Sequence, residues 1–168
     1  MKRRTLLTVG IAAGTLLALA GGALALIKPG RRAGVLTDSG RAMFAAVAQA
    51  VLASTLPADP DDRAKALEGH LVRVQGTIAG LPPAMQSELD ELVTIVGSAP
   101  GRLALAGLRS DWSGASVTEV TAALQSMRES SLVVRQQAFH ALRDITNGSY
   151  FADASTWQAV GYPGPRVL

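Results

Sequence analysis

The amino-acid sequence predicts an all-α protein: a single compact helical domain of about five to seven helices, behind an N-terminal hydrophobic signal or anchor helix. Three observations carry this. Apolar residues recur three and four apart through most of the chain. Prolines, glycines and short polar side chains stand where helices would start and stop. No stretch alternates apolar and polar residues long enough to describe a half-buried strand. The chain has 168 residues and no cysteine, so it has the length of one domain and owes nothing to disulfides, thiolate metal sites or a cysteine nucleophile.

Residues 1–32 read as a targeting segment and residues 33–168 as the helical body. Lys2, Arg3, Arg4, Lys28, Arg31 and Arg32 are the six positive charges before residue 33, with no acid among them. From residue 33 onward there are 10 Lys and Arg against 13 Asp and Glu, a net charge of −3. A nucleic-acid-binding domain concentrates positive charge on its folded body to replace phosphate counterions, so nucleic acid is not an expected partner. Here the charge flanks an uncharged run of 22 residues, Leu6 to Ile27, long enough to span the hydrocarbon of a bilayer at ~1.5 Å per residue. Lys2-Arg3-Arg4-Thr5-Leu6-Leu7 resembles the twin-arginine export motif, with Arg3 and Arg4 as the targeting pair. The weak hydrophobicity of the run and the basic residues after it agree with that route. Ala18-Leu19-Ala20 and Ala23-Leu24-Ala25 both offer small-x-small cleavage sites, and a retained membrane anchor is the alternative.

The body opens with a helix capped at Thr37-Asp38-Ser39 and striped by Phe44, Val47, Ala48, Val51 and Leu52, ending at Pro57. Asp59-Pro60-Asp61-Asp62 starts a second helix, with Leu67, Leu71, Val74 and Ile78 on its apolar face and Gly80 as its stop. Pro82 and Pro83 start a third, carrying Met85, Leu89, Leu92, Val93 and Val96 as far as Gly97. The connections are short, so neighbouring helices are expected to pack antiparallel. Ser98 to Gly114 reads as broken helix, because Pro100, Gly101 and Gly107 interrupt it. Ser116-Val117-Thr118-Glu119 is a capping-box pattern ahead of Val120, Leu124 and Met127. Leu132, Gln136, Phe139, Leu142 and Ile145 define a last long helix, with Asn147-Gly148 as its expected end and a brief helix from Asp153 to Val160 after it.

Little in this pattern suggests catalysis. A phosphate-cradling loop needs glycines between a strand and a helix, and Gly21-Gly22 and Gly76 to Gly80 lie in the wrong context. His70 borders the stripe of the second helix and reads as a packed or interfacial histidine. His140 stands four residues before Asp144 and is expected to pair with it along a helix face, with no serine in a nucleophile motif. Glu88, Asp90 and Glu91 read as a solvated face, and Asp59, Asp61 and Asp62 as charges favouring a helix start. No catalytic, metal or cofactor-binding residue is expected in this chain. Of its seven aromatic residues, Tyr150, Phe151, Trp157 and Tyr162 fall at the C-terminal end, beside the stiff Gly161-Tyr162-Pro163-Gly164-Pro165 tail. Rigid aromatics on preformed backbone suit a protein interface, so Tyr150, Phe151, Trp157, Gly161, Tyr162, Pro163, Gly164 and Pro165 are the expected partner-binding residues. The alternative is that they fold back to cap the core.

Tyr150-Phe151-Ala152-Asp153, followed by Trp157-Gln158-Ala159-Val160 and the Gly-Tyr-Pro-Gly-Pro tail, resembles the C-terminal signature of the gluconate 2-dehydrogenase subunit 3 family. Phe44 with Leu56-Pro57, and Phe139-His140-Ala141-Leu142-Arg143, are similar to that family's pattern as well. The resemblance spans roughly residues 37 to 165 and is specific at the C-terminus. It implies a small, non-catalytic gamma-type subunit paired with a large FAD-dependent dehydrogenase of the glucose-methanol-choline type, often with a multihaem cytochrome c subunit. FAD, and haem c where present, would then belong to the partner subunits. It further implies that the small subunit helps mature the flavoprotein and carries it, folded, through the twin-arginine translocase to the periplasmic side of the inner membrane. The competing expectation is a membrane-tethered helical periplasmic binding protein or chaperone with no enzyme partner.

Overall fold

The computed structural model describes residues 29–165. Arg3, Arg4, the run from 6 to 27 and both small-x-small sites lie outside the described residues. Those described are mostly helical, in keeping with the all-α expectation. They begin with a feature the sequence did not announce, an antiparallel hairpin of β1 (Arg31–Arg32) and β2 (Val35–Leu36), in register Arg31 with Leu36 and Arg32 with Val35. Two residues per strand are too few to show alternation. Ala33 (φ 50°) and Gly34 (φ 81°) make the turn, the left-handed pair that matches strand twist in a tight hairpin.

The hairpin is part of the helical body. The Gly30 N–H donates to Thr94 Oγ1 at 3.2 Å, and the Thr37 N–H donates to the Gly30 carbonyl at 3.0 Å. Gly40 faces this strap so closely that a Cβ there would stand 2.1 Å from the Gly30 oxygen. Arg31, read from charge as part of the targeting segment, is 5% exposed; its guanidinium is paired with Asp90 and donates to the Gly34 carbonyl at 2.9 Å.

Helix α1 (Asp38–Val51) is capped by Thr37, whose hydroxyl oxygen accepts from the Gly40 N–H. It ends at Val51, short of Pro57, in a turn where Leu52 O accepts from the Thr55 and Leu56 N–H groups and Tyr150 OH donates to Thr55 O. Helix α2 (Pro60–Ala79) starts at Asp59, whose carboxylate accepts from the N–H groups of Asp61 and Asp62 at 2.9 and 3.0 Å. Helix α3 (Pro83–Gly97) buries Leu89, Leu92, Val93 and Val96 but leaves Met85 40% exposed, because its first turn projects beyond the core. The broken stretch becomes one helical turn, α4 (Ala99–Gly101), running into a π turn at Arg102–Ala106 that stops at left-handed Gly107. Trp112 follows, buried, with its indole N–H donated to Val96 O at 3.0 Å.

Helix α5 (Val117–Arg128) carries the predicted capping box between Ser116 and Glu119. Helix α6 (Val133–Phe151) passes straight through Asn147-Gly148, because Thr146, Ser149 and Tyr150 continue its buried face. Leu132 is its 58% exposed N-cap rather than part of the stripe. A 3-10 helix (Ala154–Val160), capped by Asp153, completes the order. Helix α1 sits centrally, against α2, α3, α5 and α6, while α2 lies chiefly on α6. The connection around Pro82 therefore does not join a closely packed pair, unlike the expected run of neighbouring partners. One cluster around Met43, Phe44, Val47, Val74, Val93, Met127 and Leu142 forms the main core. Among the described residues no helix is long and apolar enough to cross a membrane.

Candidate functional site

The C-terminal segment begins with a residue that belongs to the core. Tyr150 is 4% exposed, packs against Ala48 and Leu52, stands edge-on to His70 at 5.9 Å, and spends its hydroxyl on the Thr55 carbonyl at 3.1 Å. A side chain so enclosed has no surface to offer a partner, so the expected docking role of Tyr150 is corrected to a packing role. Phe151 is half-buried beside it, its ring 5.2 Å from that of Tyr150.

Arg73 of α2, which the sequence reading passed over, holds this region in place. Its guanidinium donates to the Ser149 carbonyl at 3.2 Å and to Asp153 at 3.0 Å, and lies 6.0 Å from the centre of the Tyr150 ring. Asp153 also accepts from the Ser155 hydroxyl and N–H. These two bonds, aided by Arg73, hold its carboxyl below the usual range despite some loss of water. No short-range pattern could have disclosed Arg73, because its partners lie more than 70 residues away.

From Trp157 onward the predicted residues come together on the surface. Trp157 is half-buried, and its indole N–H donates to Phe151 O at 2.7 Å. Gly161 takes φ 69°, letting its N–H reach Gln158 O and the Tyr162 N–H reach Trp157 O, the paired bonds that end a helix on a left-handed residue. This turns the tail back over its own helix. Tyr162 stands edge-on to Trp157 at 5.3 Å, and Gly164 passes against the indole. Tyr162 remains 48% exposed and Val160 51% exposed, with Pro163 and Pro165 beside them. The tail thus folds onto Trp157 and still presents an aromatic-and-proline lip.

Asp144 takes its hydrogen bonds from Arg143, at 3.0 and 2.8 Å, because that neighbour reaches it first; His140 instead lies edge-on to Phe139 at 5.3 Å. The expected His140–Asp144 pair is therefore replaced. His70 is fully buried with no hydrogen-bond partner at either ring nitrogen, and burial, followed by the nearby Arg73 charge, lowers its pKa from 6.5 to about 4. Among the described residues no group of three or more His, Asp or Glu side chains is placed to hold a metal ion. Comparison with known proteins finds no matching family model, no matching curated protein and no matching solved structure.

Proposed function

We propose that this chain is a non-catalytic small subunit that binds, matures and co-exports a cofactor-loaded, flavin-dependent dehydrogenase of the glucose-methanol-choline type. The observation that carries the reading is the paired Arg3-Arg4 motif ahead of an uncharged run on a chain whose own motifs call for no cofactor. The twin-arginine route serves proteins that cross the membrane folded, commonly because a cofactor is already in place. A chain with that signal and no prosthetic group of its own is accounted for if the cargo is a companion. The resemblance to the gluconate 2-dehydrogenase subunit 3 family, resting on the quoted C-terminal residues, names that companion's class. It would hold FAD, and a cytochrome c subunit would complete the complex at the periplasmic face of the inner membrane. The exposed lip of Val160, Tyr162, Pro163 and Pro165 supports a docking role, since its backbone is already ordered and little rotamer freedom is lost on binding.

The test is Arg3→Lys with Arg4→Lys in cells that make the chain together with a flavin-dependent dehydrogenase that co-purifies with it. The expected result is dehydrogenase activity retained in the cytoplasm and lost from the periplasm. Normal periplasmic activity in the double variant would overturn the proposal.

A further inference from the structure

The hairpin, the end of α2 and the start of α3 meet at one end of the body through a ring of contacts. The Leu36 N–H donates to Gln75 Oε1 at 3.4 Å, and Gln86 Nε2 donates to Ala79 O at 3.1 Å and to Leu81 O at 2.9 Å. Gln75 and Ala79 are four residues apart, as are Gln86 and Asp90, the partner of Arg31, so each gap in the ring is about 6 Å. Charge is scarce at this end. No residue from 74 to 87 is charged, and acids return only at Glu88. Val35 is 52% exposed and Met85 40%, together with exposed Gly76, Ala79, Pro82 and Pro83. Asp90 is engaged by Arg31, whereas the exposed Arg32 has no ion partner among the described residues.

The point where the chain joins this end names what it faces. Pro29 and Gly30 are fixed to the body: the Pro29 carbonyl accepts from the Thr37 hydroxyl at 2.7 Å, and a Cβ at Gly30 would meet Val93 Cγ1 at 2.2 Å. Lys28 alone separates Pro29 from Ile27, the last residue of the uncharged run. Two residues of fully extended chain reach about 7 Å. The headgroup layer on each side of a bilayer is about 5–7 Å deep, and a run of 22 residues suffices for one crossing with little to spare. With that run across a bilayer, the hairpin end therefore stands at the headgroups. We infer that this end is the membrane-facing surface of the body, seated on anionic phospholipid with Arg32 at the phosphates and the uncharged end of α2 and start of α3 against the interface. This rests on the reading of residues 6–27 as a membrane segment, and adds to the proposed function the face that the body turns to the membrane.

The chain has no cysteine, so Val35→Cys, Met85→Cys and, on α5, Thr121→Cys each place a single fluorophore on the full chain. Each labelled chain is set in nanodiscs of phosphatidylglycerol and phosphatidylcholine, with and without a lipid carrying a nitroxide on its headgroup. Quenching of the Val35→Cys and Met85→Cys probes should exceed that of Thr121→Cys by about threefold or more, because only the first two stand at the headgroup layer. The α5 helix of the control packs instead on α1 and α6. Arg32→Glu should cut quenching of the Met85→Cys probe by about half, and only with phosphatidylglycerol present, since the attraction of a cation to that surface is lost. Equal quenching at the three sites, or the strongest at Thr121→Cys, would overturn the inference, as would quenching indifferent to Arg32→Glu. So would a co-purifying flavoprotein that shields the first two probes from the nitroxide, which would give this face to a protein. A chain that does not enter the nanodiscs refutes the membrane reading of residues 6–27 itself. One that enters and shows no preference among the sites removes this inference alone.

Discussion

Arg31 and His70 are the two residues whose surroundings say most about how this body is held. Arg31 has a side chain only 1% exposed, and its charge is balanced by Asp90, itself 40% exposed. Removing one member of a buried pair leaves an uncompensated charge, so Asp90→Asn should lower stability by about 2–4 kcal/mol in urea unfolding. A loss under about 0.5 kcal/mol would reduce the pair to an ordinary surface contact. His70 works through pH. Its pKa is about 4 in the folded chain against 6.5 unfolded, so between those values the unfolded chain binds the extra proton. Stability is therefore full above pH 6.5 and is lost as pH falls toward 4. His70→Leu, of similar bulk, should flatten that slope, read as the difference in urea midpoint between pH 5 and pH 7.5. An equally steep slope in the variant would place the acid sensitivity elsewhere.

The helices show where local chemistry is decisive and where it yields. The Ser116–Glu119 box is local and formed as read; the Ser116 N–H and hydroxyl, with Ser110, also hold the Glu119 carboxyl below its usual range. Asn147-Gly148, a pair that commonly stops a helix, did not stop α6. Beyond the glycine, Ser149 and Tyr150 of that helix are buried, and Tyr150 secures it to the turn after α1. Gly148 consequently sits inside a helix, exposed, with nothing within 4 Å of where a Cβ would be. Gly148→Ala should stabilise the protein by about 0.5–1 kcal/mol, measured as a rise in melting temperature of a few degrees. A fall would mean that the position meets something outside this chain's own fold.

On the scale of the whole molecule, charge and packing divide the chain differently. Charge places a boundary between residues 32 and 33, yet the hairpin pairs Arg31 and Arg32 with Leu36 and Val35 across it. Gly30 is hydrogen-bonded to α3, so the body extends at least that far toward the N-terminus. A chain lacking residues 1–28 should keep the stability of the body, whereas one lacking 1–32 should lose about 2 kcal/mol or more with the hairpin and the Arg31–Asp90 pair. Equal urea midpoints for the two would make the hairpin an appendage. Of the expected partner-binding residues, Trp157 to Pro165 stood out because stiff backbone and scarce aromatics show in the sequence itself, and their docking belongs to the proposal made above. Tyr150 was misjudged for the same reason: an aromatic residue looks alike in sequence whether it is offered to a partner or consumed by the core.

What the sequence determined by itself was local: the helical class, the caps at Thr37, Asp59 and Ser116, the apolar stripes, and the charge asymmetry of the N-terminal segment. Each depends on residues within a turn or two of one another, where spacing and hydrogen-bonding capacity suffice. Only the tertiary structure decided that α2 lies on α6, that Arg31 is buried against Asp90, that α6 outlasts its glycine, and that Tyr150 faces inward. Those outcomes turn on burial and on partners tens of residues away. The free energy of excluding water from a shared surface then outweighs the weak preference of any one residue for an end, a turn or a face.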